Sequence, residues 1–412
     1  MILNGANIVL AVTGGIASYK AIDLCSKLVQ AGANVDVIMT EAATQFVTPL
    51  PFQTITKRPV ALDMFQLLRD TDMAHISLSE KADVMVVAPA TANTIAKIVY
   101  GIADNQVTST ILATTAPLVI APAMDADMWA NPVTQANVKT LRQRGAVIVG
   151  PGHGRLASGR IGAGRLVTTE EILAAIRRTL GRNGVLAGLH LVVTAGGTQE
   201  PLDPVRHIGN RSSGRMGYAV AEAARDAGAQ VTLIHAPTAL PTVYGVDMVP
   251  VRTAAQMHDA VMAGLPETDV LVMSAAVADY RPARAAGQKI KKTDGGLTLE
   301  LERTQDILAA VAEYRAARPG ERPTVVVGFA AETENLLANA RDKLRCKRMD
   351  LIVANDVASS DSGFDVDTNR VTLLTPDGGE EALPLMEKFQ VAEQIIVRIA
   401  HIVRARSSDH DG

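Results

Sequence analysis

The chain has 412 residues, of which 48% are hydrophobic and 20% are charged, and its formal net charge is −3. At about 150 residues per domain this length predicts two or three domains, and the composition is that of a compact globular protein rather than a disordered chain. The small net charge and the aromatic content of only 3% argue against binding to DNA, to single-stranded nucleic acid or to an anionic membrane.

The N-terminal segment contains no basic residue before Lys20, so its pattern does not predict a secretory signal peptide. No apolar run approaches the roughly 18 residues that span a membrane. The two cysteines, Cys25 and Cys346, are far apart in the sequence, which argues against a disulfide framework and against a cysteine-based zinc site. We therefore expect a cytoplasmic protein.

Three segments of the first half recur in the same order in the second half. The similar pairs are NIVLAVTGG (7–15) and LHLVVTAGG (189–197), AGANVDVIMT (31–40) and AGAQVTLIHA (227–236), and KADVMVVAPATAN (81–93) and ETDVLVMSAAVAD (267–279). Each is an apolar, β-branched run that ends in small residues and precedes a helical pattern. Such runs are typical of buried parallel strands joined by crossover helices.

The apolar runs predict ten strands in chain order. They are placed at 7–13, 34–39, 83–88, 117–121, 146–149, 190–194, 230–234, 269–275, 324–329 and 350–354. The fold class is therefore α/β, with two tandem doubly wound domains over 1–180 and 189–412 and a linker at 181–188. In such domains ligands bind outside the carboxyl ends of the strands, which directs attention to the residues that follow each strand.

The first strand is followed by VTGGIASYK (12–20), which places Gly14 and Gly15 between a strand and a helix. Free backbone N–H groups and the helix dipole favour an anion there. The dinucleotide fingerprint G-x-G-x-x-G is absent and Asp36 lies in the middle of the next strand, so a monophosphate cofactor fits better than NAD. Thr40 ends that strand with a hydroxyl suited to phosphate, and a turn without a ligand is the alternative.

Two later strands end in APATANTIAK (88–97) and APAMDADMW (121–129), and His75 lies in the segment before the first of them. With these motifs the first half resembles the flavin-dependent cysteine decarboxylases, and the order of the two halves resembles the bifunctional enzymes that fuse phosphopantothenoylcysteine decarboxylase to phosphopantothenate–cysteine ligase. The resemblance implies a flavodoxin-like domain with catalytic His75. It implies FMN held by Gly15, Ser18, Thr40, Ala90, Thr91 and Asn93.

The chain departs from this family at two positions. The family has an asparagine that contacts the substrate and a cysteine, in a glycine-rich loop, that donates the last proton; here these positions hold Asp125 and Ser158. Ser158 lies in GHGRLASGRIGAGR (152–165), whose glycines predict a mobile loop that closes over an anion with its arginines. We hypothesise that Asp125 is held protonated and supplies the acid that serine cannot. Proton transfer from solvent and a weakened decarboxylase are the alternatives.

The second half repeats the glycine turn and adds polar groups at its strand ends. VVTAGGTQEPLDPVRHIGNRSSGRMG (192–217) contains Gly196, Gly197, Arg206 and Asn210, and MSAAVADYRPARAAGQKIKK (273–292) contains a lysine cluster. This density of polar groups favours polyphosphate binding over an ordered surface loop. There is no GxxxxGK[ST] motif, so the site is not a P-loop.

These motifs resemble the ligase half of the same family, whose domain is Rossmann-like. The resemblance implies that CTP with Mg²⁺ activates 4'-phosphopantothenate as an acyl-cytidylate, which L-cysteine attacks. Implied catalytic residues are Asn210, Arg206 and Lys289, with Asp279 as metal contact. Implied nucleotide-binding residues are Gly196, Gly197, Ala275, Asp279, Lys289, Gln305, Asp306, Ile307, Leu308, Phe329, Lys343 and Lys347.

The resemblance also implies a homo-dodecamer built from decarboxylase trimers and ligase dimers. Two other functions compete with this interpretation. A dinucleotide-dependent oxidoreductase with two Rossmann-like domains is disfavoured by the missing fingerprint, and a ligase with a weakened or regulatory flavin-binding half stays open because of Asp125 and Ser158.

Overall fold

The computed structural model describes residues 2–64, 67–69, 72–292, 297–332, 335–356 and 366–408. The chain forms two compact units, Met1–Gly181 and Arg182–Gly412, and each has its own sheet and core. Within the described ranges no helix combines the length and the hydropathy needed to cross a membrane.

The first unit alternates strands and helices along the chain. Its strands are β1 (Asn7–Val12), β2 (Asn34–Met39), β3 (Leu67–Arg69), β4 (Asp72–Met73), β5 (Val84–Ala90), β6 (Leu118–Pro122), β7 (Val147–Ile148), β8 (Gly152–Arg155) and β9 (Ile161–Arg165). Its helices are α1 (Lys20–Gln30), α2 (Glu41–Thr44), α3 (Leu50–Thr56), α4 (Ala74–Lys81), α5 (Ala92–Tyr100), α6 (Gln106–Ala113), α7 (Ala126–Ala130), α8 (Pro132–Gln143) and α9 (Thr169–Gly181).

The central sheet of the first unit is parallel and has the order β2-β1-β5-β6-β7. Ranked along the chain this is 2-1-3-4-5, the flavodoxin-like doubly wound order. The five strands lie within two residues of their predicted positions, so the prediction is confirmed. Every residue of β5 is buried, as expected for a parallel strand covered on both faces.

The helices cover the sheet with apolar stripes and begin at polar caps. In α1 the buried residues Ala21, Leu24, Cys25 and Leu28 recur every three or four positions and face the core. Helices α2 and α5 begin directly after β2 and β5, at the N-caps Thr40 and Thr91, whose side chains accept hydrogen bonds from backbone N–H groups. The local sequence thus places two capped helix N-termini beside the glycine turn.

The mobile loop predicted for 152–165 is instead the antiparallel hairpin β8–β9. Its turn is closed by the Leu156 N–H, which donates to the Arg160 carbonyl across 2.8 Å. The prediction of a loop is wrong, because the strand pairing includes most of the glycines. Their missing side chains allow the hairpin to lie against the chain that follows β6, as the site geometry below shows.

The second unit also alternates strands and helices. Its strands are β10 (His190–Ala195), β11 (Gln199–Pro201), β12 (His207–Gly209), β13 (Gln230–His235), β14 (Asp247–Pro250), β15 (Val270–Met273), β16 (Tyr280–Pro282), β17 (Leu301–Arg303), β18 (Val325–Glu332), β19 (Leu351–Asp356), β20 (Thr368–Asn369), β21 (Val371–Leu374), β22 (Glu380–Ala382) and β23 (Met386–Glu387). Its helices are α10 (Arg215–Asp226), α11 (Ala254–Gly264), α12 (Ile307–Ala317), α13 (Leu336–Cys346) and α14 (Lys388–Ser408).

The main sheet of the second unit has the order β14-β13-β10-β15-β18-β19-β21-β22. Its first six strands are parallel in the ranked order 3-2-1-4-5-6, the Rossmann order, and β21 and β22 extend it antiparallel. In β10, Leu191 and Val193 belong to one hydrophobic cluster and Val192 to the other, so side chains alternate between two covered faces.

The five strands predicted for this half are confirmed as β10, β13, β15, β18 and β19. Strands β14 and β22 were not predicted, because most of their residues are exposed or half-buried and no continuous apolar run marks them. Edge strands with one open side lack the sequence signal of a fully buried parallel strand.

Candidate functional sites

The glycine turn of the first unit lies at the carboxyl edge of its sheet. A Cβ on Gly14 would lie 2.4 Å from the Cβ of Ala42, so only glycine allows this turn to approach helix α2. The buried Ser18 hydroxyl lies 2.8 Å from the Thr13 carbonyl oxygen and 2.6 Å from that of Gly15. Ser18 therefore shapes the turn, while the half-buried Gly15 lies at its surface.

Thr13 joins this turn to the end of the neighbouring strand. Its buried hydroxyl donates to the Pro89 carbonyl across 2.7 Å and accepts from the Thr91 N–H across 3.1 Å. Asn93 is exposed in the first turn of α5, and Ala90 is buried at the end of β5. The structure thus brings the predicted FMN-binding residues of β1, β5 and their following helices to one sheet edge.

The edge fits a flavin mononucleotide on its chemistry. Helices α2 and α5 start there at threonine caps, and the first N–H groups of a helix attract phosphate. Gly14 lies close to helix α2 and Gly15 lies at the surface of the turn. Backbone atoms therefore reach this position without an intervening side chain. Asp36 does not take part, because it is buried within β2 and pairs with Arg58 and Lys81.

His75 is the second residue of α4 and is half-buried. Its Nδ1 atom is buried and has no hydrogen-bond partner within the part of the chain that the structure describes. A buried imidazole nitrogen without a partner is costly unless another group supplies the hydrogen bond. The ring is therefore available to a substrate or cofactor.

Asp125 and Ser158 are in direct contact. The Ser158 hydroxyl donates to Asp125 Oδ2 across 2.6 Å, and the Asp127 N–H donates to Oδ1 across 3.2 Å, which makes Asp125 the N-cap of α7. The Ser158 hydrogen bond, followed by the Asp127 N–H, holds the pKa of the Asp125 carboxyl below its usual range. These donors favour the carboxylate, which argues against the hypothesis of a protonated Asp125.

A second pair joins the same two segments, since Arg160 forms an ion pair with Asp127. This arginine was expected to face a ligand anion, and the structure pairs it within the protein instead. The Met124 N–H donates to the Gly164 carbonyl across 2.9 Å. We call the hairpin β8–β9 the flap, and we call the three contacts Ser158–Asp125, Arg160–Asp127 and Met124–Gly164 the flap latch.

Glycines are required where the hairpin meets the chain after β6. A Cβ on Gly164 would lie 2.3 Å from the Met124 carbonyl oxygen, and one on Gly162 would lie 2.9 Å from the Ala126 Cβ. These distances are shorter than real Cβ contacts, so a side chain at either position would push the hairpin away. The glycines thus allow the flap latch to close.

Two cationic side chains, those of Lys20 and Arg165, interact at the end of β9. Partial burial, and then the charge of the Arg165 guanidinium, lower the pKa of Lys20 at the start of α1. A neighbouring guanidinium that lowers the proton affinity of Lys20 indicates a positive environment, which favours an anionic group. Lys20 was not predicted as a site residue, although its place directly after the glycine turn indicates a possible contact to an anion.

The second unit has a cavity of about 950 Å³. Ten of its lining residues were predicted: Asn210, Ala275, Asp279, Gln305, Asp306, Ile307, Leu308, Phe329, Lys343 and Lys347. They come from the ends of β12, β15 and β17, from β18, and from α12 and α13. Parallel strands place their carboxyl ends at one edge, which is why residues so far apart in sequence line one cavity.

Two of the lysines that line the cavity belong to α13: Lys343 lies in the helix and Lys347 is its C-cap. Lys343 Nζ donates to the Phe329 carbonyl across 2.9 Å, and Lys347 pairs with Asp306, the N-cap of α12. Burial would raise the pKa of the Asp306 carboxyl, but Lys347, the Ala309 N–H and Lys343 outweigh it and hold that pKa below its usual range. The cavity wall therefore carries an ionised carboxylate between two ammonium groups.

Gly196 and Gly197 are not among the described residues that line the cavity. A Cβ on Gly197 would lie 2.4 Å from the Asn210 carbonyl oxygen, and one on Gly196 would lie 3.0 Å from that of Ala236. Asn210 Nδ2 donates to the Val277 carbonyl across 2.9 Å. The glycine turn therefore positions Asn210 against the end of β15.

Arg206 and Lys289 lie in two loops and are likewise absent from the described lining of the cavity. Arg206 Nη1 donates to the Ile290 carbonyl across 3.4 Å, which brings the residue after Lys289 to the Arg206 loop. Both side chains are exposed. The structure therefore brings these two predicted catalytic residues into neighbouring loops.

Asp279 is exposed at the cavity, and the described residues contain no group of three or more His, Cys, Asp or Glu side chains that could hold a metal ion. Mg²⁺ often binds proteins through one or two carboxylates and takes its other ligands from substrate phosphates and water. The residues present fit that mode of binding.

Several polar lining residues were not predicted: Arg215, Asn355, Asn369 and Lys388. Asn369 and Lys388 are buried, and Lys388 Nζ donates to the Val366 carbonyl. Asn369 and Lys388 follow the central parallel strands, where no motif marks them. Their placement arises from the return of the chain through β20 and α14.

The chain was compared with protein families and with known proteins. The family described as Flavoprotein matches residues 2–181, and the family described as DNA/pantothenate metabolism flavoprotein C-terminal domain matches residues 186–403. The coenzyme A biosynthesis bifunctional protein CoaBC of Bacillus subtilis is 46% identical over 401 residues, which cover 97% of each chain. The protein of the same name from Mycobacterium tuberculosis is 45% identical over 411 residues, which cover 97% of this chain and 98% of the relative.

Solved structures match each half separately. The C-terminal domain of a CoaBC protein is 39% identical, with a TM-score of 0.46, and the match covers 54% of this chain and 99% of that domain. A PPC decarboxylase mutant complexed with pantothenoylaminoethenethiol is 32% identical, with a TM-score of 0.38, over 42% of this chain and 97% of that one. An FMN-dependent cysteine decarboxylase is 31% identical, with a TM-score of 0.38, over 43% and 97%.

Proposed function

The chain belongs to the family of bifunctional coenzyme A biosynthesis proteins, and from this premise we propose how its two sites carry out the two reactions. The protein is an enzyme of coenzyme A biosynthesis with a flavoprotein decarboxylase and a ligase in one chain. We assign the decarboxylase to residues 1–180 and the ligase to residues 189–412.

The ligase assignment depends mainly on the cavity in the second unit. A volume of about 950 Å³, with Lys343 and Lys347 on one wall and Asp279 at its edge, suits a nucleoside triphosphate with Mg²⁺. We propose that CTP binds there and that its α-phosphate joins the carboxylate of 4'-phosphopantothenate with release of pyrophosphate. The amine of L-cysteine then attacks the acyl-cytidylate and releases CMP.

Asn210, Arg206 and Lys289 are the proposed catalytic residues of the ligase. Asn210 is held at the end of β15 by its hydrogen bond to Val277, where its amide can bind the acyl-cytidylate. Arg206 and Lys289 carry positive charge in neighbouring loops and would neutralise charge that develops on phosphate oxygens. This charge stabilisation is their proposed contribution to the rate.

The first unit is the proposed decarboxylase. FMN, when bound, supplies the two-electron oxidation that gives the substrate an electron sink for loss of CO₂. We propose that Gly15, Thr40 and Thr91 form the phosphate end of its site. His75, whose Nδ1 lacks a partner among the described residues, is the proposed residue that moves a substrate proton.

The flap latch encloses the substrate rather than supplying the final proton. Ser158 donates to an ionised Asp125, so neither side chain is an acid of useful strength near neutral pH. We propose that solvent delivers the final proton to the decarboxylated product. A Ser158→Ala enzyme that forms 4'-phosphopantetheine within about threefold of the parent rate would support this, whereas arrest at the oxidised stage would identify Ser158 as the donor.

A specific observation favours one alternative, in which the ligase is active and the flavin-binding half is weakened or regulatory. The ionised Asp125 would repel a substrate carboxylate where the family has a neutral amide. Product analysis of the decarboxylation step distinguishes the two, because a regulatory half would bind a yellow chromophore and release no CO₂.

The complete function is tested by following both steps in one sample. With 4'-phosphopantothenate, L-cysteine and CTP we expect CTP-dependent pyrophosphate release followed by formation of 4'-phosphopantetheine. His75→Ala and Lys289→Ala form a matched pair, since each should strongly slow one step and leave the other intact. Equal activity with ATP would contradict the CTP assignment. We further propose a cytoplasmic homo-dodecamer of decarboxylase trimers and ligase dimers, which mass measurement of the native protein tests.

A further inference from the structure

Asp203 is not among the proposed catalytic or nucleotide-binding residues, yet its carboxylate is fully buried. It begins the loop 203–206 that separates β11 from β12. Its Oδ1 atom accepts hydrogen bonds from the N–H groups of Val205 and Arg206, each across 2.8 Å. This oxygen therefore closes the turn from which the Arg206 side chain projects.

The other carboxylate oxygen reaches a segment far away in sequence. Asp203 Oδ2 accepts the Ile290 N–H across 3.1 Å, and Ile290 directly follows Lys289. The Leu202 carbonyl accepts the Ala286 N–H across 2.9 Å and strengthens the same junction. The Arg206 guanidinium lies 3.6 Å from Oδ2, so the carboxylate also faces a positive charge.

A carboxylate is the side chain that this junction requires. It offers acceptor oxygens to both segments at once, whereas an asparagine offers one oxygen and would turn its NH₂ group toward an N–H. Burial would raise the pKa of the Asp203 carboxyl, but hydrogen bonds from Val205, Ile290 and Arg206 and the Arg206 charge hold it below its usual range. The group therefore stays an acceptor at neutral pH.

We propose that Asp203 is a positioning residue of the ligase, which fixes the loop that carries Lys289 against the loop that carries Arg206. It lies outside the described lining of the nucleotide cavity and acts through these two side chains. The proposal rests on the ligase function proposed above. It adds the residue that gives Lys289 a defined place although its own loop is exposed.

The test uses the full-length protein and steady-state pyrophosphate release with CTP, 4'-phosphopantothenate and L-cysteine. For Asp203→Asn we expect kcat to fall by about tenfold or more while the KM for CTP changes less than about twofold. Asp203→Ser is the second variant, because its hydroxyl still closes the turn but is too short to reach Ile290. It should show the same split between kcat and KM. Because a misfolded fraction alone would also lower the apparent kcat at unchanged KM, kcat is calculated per active site, titrated by the burst of pyrophosphate released without L-cysteine.

A double-mutant cycle decides whether Asp203 acts through Lys289. In the Lys289→Ala background, Asp203→Asn should lower kcat by a smaller factor than in the parent background, because one of the two side chains that it positions is gone. Penalties that multiply in full, or a single Asp203→Asn enzyme with parent kcat, would overturn the inference. Parent activity in Lys289→Ala alone would instead overturn the proposed role of Lys289.

Asp377 provides the matched control. It is another turn carboxylate of the second unit, accepts the Gly379 N–H across 3.3 Å and lies in the turn between β21 and β22. Asp377→Asn should leave kcat and both KM values unchanged.

Discussion

The Ser158 hydroxyl donates to the Asp125 carboxylate across 2.6 Å and joins the tip of the β8–β9 hairpin to the N-cap of α7. From the resemblance we expect the family to have a cysteine and an asparagine at these two positions. A thiol and an amide form an acid and a neutral partner, whereas a hydroxyl and a carboxylate form a strong hydrogen bond without an acid of useful strength. The paired change therefore alters the chemistry of the flap while keeping it closed.

The effects of Ser158→Cys and Asp125→Asn on the rate of decarboxylation should depend on each other. In Ser158→Cys the thiolate that remains after proton donation faces an ionised carboxylate, which disfavours the transfer. In Asp125→Asn the hydroxyl remains a poor acid. We expect the double variant to form 4'-phosphopantetheine about tenfold faster than either single variant, measured with phosphopantothenoylcysteine as substrate. Independent effects of the two substitutions would show that the residues do not cooperate.

Closure of the flap should weaken at low pH, because it depends on the ionised carboxylate of Asp125. The pKa of Asp125 is lowered by Ser158 first and by the Asp127 N–H second, so its contribution is present above the ordinary carboxyl range and is lost as pH falls through the lowered value. Protection factors of the Gly159 amide, measured by hydrogen exchange, should be constant between about pH 8 and 5 and fall below about pH 4. Asp125→Asn should remove this dependence.

Gly164→Ala should open the flap. Its Cβ would lie 2.3 Å from the Met124 carbonyl oxygen, and its φ of +149° is one that side chains rarely adopt. We expect a loss of about 1–3 kcal/mol in the free energy of local opening and a lower decarboxylation rate with unchanged ligation. Gly152→Ala in the same hairpin is the control, because its Cβ would lie an ordinary 3.6 Å from the Arg165 carbonyl oxygen.

Gly197→Ala should impair the ligase through Asn210. The new Cβ would lie 2.4 Å from the Asn210 carbonyl oxygen, and backbone atoms yield little to such a contact. We expect kcat for ligation to fall by about tenfold or more, with the decarboxylation rate unchanged. Gly264→Ala, in which the Cβ would have only 3.9 Å contacts at the end of α11, should leave ligation unchanged and raise stability by up to about 1 kcal/mol. Normal ligation in Gly197→Ala would contradict the positioning role of this glycine.

Much of the fold could be predicted because its strands carry a strong local signal. Apolar runs such as 84–88 are buried on both faces, and the repeated glycine turns mark where strands β1 and β10 pass into a loop or helix. The antiparallel strand β22 carries no such signal, because most of its residues lie in contact with water. The hairpin β8–β9 was missed for another reason: its glycines serve close packing as well as backbone positions of positive φ.

The same division holds for the sites. The family resemblance implied Asn210, Phe329, Lys343 and Lys347 as site residues, and the structure places all four around one cavity. The charge state of Asp125 could not be derived from its own motif, because it depends on a hydroxyl 33 residues away in the chain. Charge states and hydrogen-bond junctions depend on distances between segments, and sequence spacing does not contain those distances.

By itself, then, the amino-acid sequence determined that this protein has two doubly wound halves and where their strand ends carry polar groups, since burial and periodicity are local properties of the chain. Only the tertiary structure decided that Ser158 holds Asp125 as an anion and that Asp203 ties the Arg206 loop to the loop of Lys289. Hydrogen bonds act over about 3 Å, so they exist only once folding has brought their two partners together.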